Sequence, residues 1–139
     1  MSDNGRIVVA QVDVLIAKVN ETSMDGRTLS RSGAALPAGP VVAWGWTGGT
    51  APVTEHLGSA AFTLTGDGLV ARLSVSPVTA RRLLDGDLRA ALECESSRLR
   101  MRSGTLVADQ WEPRGVFIGK ATTTPAAWRG LWVREVTRT

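Results

Sequence analysis

Between residues 7 and 19 the side chains alternate: Val8, Ala10, Val12, Val14 and Ile16 fall on one face, and Gln11 and Asp13 on the other. A period of two belongs to a β-strand, where successive Cβ atoms point to opposite sides. The pattern predicts a long, half-buried strand with its apolar face on a core.

Further short strands follow, separated by turn signals. Asp25-Gly26 marks a turn, and residues 28–40, rich in Gly, Ala, Ser and Pro, read as an irregular surface loop. Residues 41–46 read as a strand and residues 47–52 as a loop. Residues 59–65 and 69–75 read as a hairpin about Gly66-Asp67-Gly68. The clearest helix opens at Ser76-Pro77. A Ser hydroxyl there accepts from a free first-turn amide, and Pro suits the first helical position because its missing N–H would be unpaired anyway. The helix runs through Ala80, Leu83 and Leu84 and stops at Gly86. Residues 88–102 read as extended, with a break in alternation at Ser96-Ser97 that predicts a bulge. Residues 116–122 and 131–136 read as two more strands. The expected fold is mainly β with one or two helices, a β-barrel or sandwich. The 139 residues fit one domain spanning 1–139.

Composition narrows the function classes. The formal charge is +3 and the isoelectric point about 10.0. This mild basicity favours solubility without demanding nucleic acid. Cys94 is the only cysteine, so an intrachain disulfide is ruled out. No signal peptide and no apolar run long enough to cross a bilayer is visible, so no membrane partner is expected. Trp44, Trp46, Trp111, Trp128 and Trp132 are candidate interface anchors, because Trp is enriched at binding hot spots; core packing is the competing reading.

The order of several short motifs resembles the capsid maturation (prohead) proteases of tailed phages. His56-Leu57-Gly58 follows an early strand, and Gly66-Asp67-Gly68-Leu69-Val70-Ala71 forms the hairpin. A helix over residues 76–85 comes next, followed by Gly86-Asp87-Leu88-Arg89-Ala90-Ala91-Leu92. Gly119-Lys120-Ala121-Thr122-Thr123-Thr124-Pro125-Ala126 stands near the end. Asp25-Gly26-Arg27, Leu36-Pro37 and the Trp44 region are similar to the actinophage branch of that family. The resemblance covers most of residues 20–130. It implies a β-barrel of the prohead and herpesvirus protease type, acting with the major capsid protein in the virion or, during assembly, in the host cytoplasm.

The catalytic pattern is incomplete. A serine protease needs a hydroxyl nucleophile, a base in reach of it and donors for the oxyanion. His56 is the only histidine and so the only imidazole base. Where the family carries its serine, this chain carries Leu92, whose hydrocarbon side chain has nothing to attack with. Vestigial candidates are Cys94, two residues on and on the same strand face as Leu92, and Ser96 or Ser97, which would need a different strand register. A lone strand Cys is otherwise a small buried apolar residue. Glu93 and Glu95 read as solvated on the opposite face. Arg98, Arg100 and Arg102 share parity and form a basic row that could meet an acidic capsid surface or DNA, or simply face solvent.

No cofactor motif and no metal-ligand spacing is present. The expectation is a non-enzymatic head protein, a decoration or minor capsid protein and homo-oligomer that binds the major capsid protein. One alternative is an active protease using His56 and a relocated nucleophile. The other is a small basic nucleic-acid-binding barrel.

Overall fold

The computed structural model describes residues 9–45 and 55–136. The elements in chain order are β1 (Ala10–Ala17), β2 (Arg27–Leu29), a 3-10 turn at Arg31–Gly33, β3 (Val41–Gly45), β4 (Glu55–Leu64) and β5 (Leu69–Val75). Then come α1 (Pro77–Leu84), β6 (Leu88–Arg102), β7 (Thr105–Lys120) and β8 (Val133–Glu135). The described residues form a mainly β fold with one α-helix and one sheet, which curls into a half-barrel.

β7 organises the sheet. One edge pairs antiparallel with β6 along its whole length. The other edge takes β2 and then β3, both parallel. From β3 the sheet continues through β4, β5 and β1 to β8. Ala43, Ala60, Ala71 and Ala90, all buried, sit on the inner side of β3, β4, β5 and β6. Small inward side chains suit a tightly curled sheet, whose concave face offers less room than its convex one. Val12, Val14, Leu73, Leu83, Val116 and Ile118 fill the remaining core.

Local chemistry sets the turns. Ser76 Oγ accepts from Thr79 N at 3.2 Å, Pro77 occupies the first turn, and Gly86, at φ +83°, ends the helix as expected. The β4–β5 turn closes through Thr65 N donating to Gly68 O at 2.7 Å. β6 and β7 are joined at Ser103-Gly104, with φ +50° and +80°. Positive φ at both central residues is the type I′ geometry that matches strand twist.

Several sequence expectations are corrected. β1 keeps strict alternation only to Val14; Leu15, Ile16 and Ala17 are all buried, across a register shift against β5. Residues 7 and 8 lie outside the described residues. The 28–40 loop contributes β2 and a bridge from Ala34 to Trp111. β4 starts at Glu55, so His56 lies within a strand. β7 begins at Thr105, well before residue 116. Pro113 hid its first half: a residue without an N–H argues against a central strand. Pro113 is accommodated at a register irregularity opposite Cys94. The bulge expected at Ser96-Ser97 is present, with Ser97 as the extra residue between pairs Ser96–Trp111 and Arg98–Gln110. β8 is shorter than residues 131–136.

Candidate functional site

A concavity lies on the inner face, between β6, the start of β7, β2 and the segment 125–131. Its volume is about 510 Å³, and Ile16, Leu29, Leu92, Leu99, Leu106 and Trp128 form most of its apolar wall. That size and character suit a binding pocket. Leu92 therefore stands in the pocket wall, where the family resemblance places an attacking oxygen.

Cys94 and Ser96 follow on the same wall. Cys94 is exposed at the pocket surface, so it is not the buried apolar residue expected. Desolvation by its surroundings pushes the thiol pKa up, and the positive charge of Arg27 pulls it partly back. Arg27 itself is held by Asp25, with Nε at 3.0 Å and Nη2 at 2.6 Å from Oδ2. The Asp25 carboxyl sits below its usual range because of Arg27 first and the Ser23 hydroxyl second. Asp25-Gly26-Arg27 is thus a self-contained turn, with Gly26 at φ +85°.

His56 is on the other side of the sheet. It pairs with Trp44, and Trp44 pairs with Phe117. Opposed residues share a face, and this is the outer one: Ala43 and Val116, one position back, are fully buried inside. The row His56, Trp44, Phe117 ends on β6 at Ala91, so three strand spacings, about 14 Å, separate the imidazole from β6. Cys94 and Ser96 line the opposite face. Ser97 points away from the pocket toward Gln110, whose Oε1 it meets at 3.5 Å. Neither the thiol nor these hydroxyls meet His56.

The Leu57-Gly58 part of the same motif has a structural cause. The register shifts between Ala43 and Trp44, and Leu57 turns inward against the core. Gly58, at φ +155°, lies so close to β5 that a Cβ would stand 2.0 Å from the Ser74 carbonyl oxygen. Two other motif segments are tied together by Arg89, whose Nη1 donates to Ala121 O at 3.2 Å and Thr124 O at 2.7 Å. Arg89 fixes the crossing segment against the start of β6, and sequence reading alone gave it no role.

The tryptophans divide. Trp111 is buried and donates to Ser30 O at 2.8 Å; Trp128 is buried and donates to Glu21 O at 2.9 Å. Trp111 is a core residue, which corrects its reading as an interface anchor, and Trp128 packs in the core while one side of it lines the pocket. Trp44 is half-buried on the outer face, edge-on to Phe117 with centroids 5.0 Å apart, and its Nε1 donates to Glu93 Oε1. Glu93 is therefore engaged, not simply solvated. Glu95 pairs with Arg114 at 3.2 Å. Trp132 is half-buried, with Arg134 over its ring at 3.9 Å. Trp46 lies outside the described residues.

Arg100 and Arg102 share a polar outer depression with Thr22, Thr28 and Ser30. Arg98 is set apart from them by a third register irregularity along β6. Arg100 is neutralised by Asp109 at 2.6 Å, so the basic row is weaker than its sequence spacing implied. No aromatic side chain lines the depression, and base stacking has no platform there. Among the described residues no cluster of three His, Cys, Asp or Glu could hold a metal ion, and no helix is long and apolar enough to cross a membrane.

No protein-family model, curated protein or solved structure matches this chain.

Proposed function

We propose that this protein is a non-enzymatic head protein of a tailed phage, a decoration or minor capsid protein that binds the major capsid protein through a protease-like domain. One observation carries the reading. Leu92 occupies the nucleophile's place in the motif order and packs into an apolar pocket, while His56 stands on the opposite sheet face. A domain that keeps the motif order without an attacking group is suited to binding its partner and leaving peptide bonds whole. The apolar pocket offers such a partner an anchoring site.

Two measurements test the proposal. Mass spectrometry of purified virions should find the protein in amounts comparable to a structural component; absence from virions rules out the decoration role. Purified protein incubated with procapsids should leave the capsid protein uncut. Cleavage that disappears on His56→Ala would establish the protease reading instead.

A further inference from the structure

β6 is an edge of the sheet. Among the described residues it pairs only with β7, and no backbone group bonds to its outer edge from Leu92 to Arg102. A long unpaired edge is a template for another strand unless charge or a bulge blocks it. Here the edge has an unusual composition. On its inner side it carries Cys94 and Ser96 and then, past the bulge, Leu99 and Met101, which are 52 % and 66 % exposed. On its outer side it carries Glu93 and Glu95 and then Arg100 and Arg102.

The bulge makes this edge complementary to itself. Ser97-Arg98 stand irregularly opposite Gln110-Asp109 of β7, and Ser96 and Leu99, three positions apart, both face the pocket, so parity along β6 is reversed after this break. When two β6 strands lie antiparallel about a two-fold axis between Ser97 and Arg98, inner residues oppose inner and outer oppose outer. Leu99 then faces Ser96 of the other copy and Met101 faces Cys94. On the outer side Arg100 faces Glu95 and Arg102 faces Glu93. An unbulged strand with the same sequence would put the apolar and charged sets on opposite faces in this register. The side chains have capacity for these pairs. Arg102 has no ion-pair partner among the described residues, and Arg100 contacts Asp109 through Nε. Glu93 uses Oε1 for Trp44, and Glu95 uses Oε2 for Arg114.

We propose that the partner of this edge is a second copy of the chain, joined as a C2 dimer through antiparallel β6–β6 pairing in this register. The interface puts Leu99 and Met101 of each copy over the rim of the other copy's pocket. Its charge pairs occur twice, once on each side of the axis.

The native single cysteine makes the register testable. Opposed residues have Cβ atoms about 4.5–5.5 Å apart, near the reach of a disulfide. Met101→Cys should therefore give, on mild oxidation, a dimer covalently linked from Cys94 to the new thiol. Within one chain the two positions are about 23 Å apart along the strand at ~3.3 Å per residue, so an internal bond cannot form. By the same spacing the wild type should not crosslink through Cys94. Arg102→Cys, on the other face, should not crosslink to Cys94.

Sedimentation of the wild type at tens of micromolar should show a dimer. Arg102→Glu opposes like charges at two places and should weaken it roughly tenfold. A wild type that stays monomeric, a dimer that Met101→Cys does not lock, or equal crosslinking by Arg102→Cys would overturn the proposal. Because Met101 and Arg102 are exposed, none of these variants threatens the fold.

Discussion

The indole Nε1 of Trp44 on β3 donates to the carboxylate of Glu93 on β6, reaching across β7 between them. Gly115 of β7 lies beneath this bond: a Cβ there would stand 2.8 Å from Glu93 Oε1. The bond spans three strands and holds the outer face where the sheet curls. A hydrogen bond to a charged group contributes about 1.5–3 kcal/mol. Trp44→Phe keeps the ring contact with Phe117 and removes the donor, so it should cost about 1–3 kcal/mol. Glu93→Gln should cost less, since an amide oxygen still accepts. A double-mutant cycle by urea unfolding should show coupling of about 1 kcal/mol or more. Strict additivity would mean that the bond contributes nothing.

A hydroxyl introduced at position 92 should not create hydrolytic chemistry. In Leu92→Ser the new oxygen would project into the pocket, and His56 would remain on the other face, about three strand spacings away. General-base catalysis needs the base within hydrogen-bond reach, about 2.6–3.2 Å. Leu92→Ser protein should leave procapsids and acyl-ester substrates as uncut as the wild type does. It should also be less stable by about 1–3 kcal/mol, because a half-buried apolar contact is lost. Turnover by this variant that vanishes on His56→Ala would mean that the two groups come together.

The strands and the helix were legible where a local rule was sufficient. Ser76, Pro77 and Gly86 each act through bonds within a few residues, and the helix lies where they place it. The break at Ser96-Ser97 was readable because a bulge leaves its mark in the alternation of one strand. Pairing between distant segments was not readable. Nothing in Arg27-Thr28-Leu29 announces a parallel partner at residues 106–108, and Pro113 argued against a strand that tertiary pairing nevertheless builds. The candidate site was half legible. Leu92, Cys94 and Ser96 share a wall as their parity implied. The face of His56 depended on a register shift between β3 and β4, which leaves no trace in the sequence of either.

The Asp25–Arg27 pair gives a small, signed pH effect. The folded state holds the Asp25 carboxyl below its usual value, through Arg27 first and Ser23 next. A depressed carboxylate stabilises the fold above the unfolded value, about 3.9, and loses that contribution as pH falls through the folded value. Asp25 is 53 % exposed, so water screens the pair and its worth is about 0–1 kcal/mol. Thermal melts of wild type and Asp25→Asn should differ slightly at pH 6 and converge toward pH 2. A difference that grows as pH falls would carry the wrong sign for this mechanism.

Cys94 offers the most direct reading of the pocket in solution. Its thiol pKa is pushed up by desolvation at the pocket wall and drawn partly back by Arg27. The thiolate is the reacting species, so alkylation should be slower than for a free cysteine at pH 7 and should still be climbing with pH where the free cysteine has levelled off. Arg27→Ala removes the opposing charge and should slow labelling further at fixed pH. It also frees Asp25, whose negative charge acts in the same direction. The measurement belongs at submicromolar protein, where any self-association is minimised. Alkylation at pH 7 as fast as for a short cysteine peptide, unchanged by Arg27→Ala, would place the thiol away from both the pocket wall and the guanidinium.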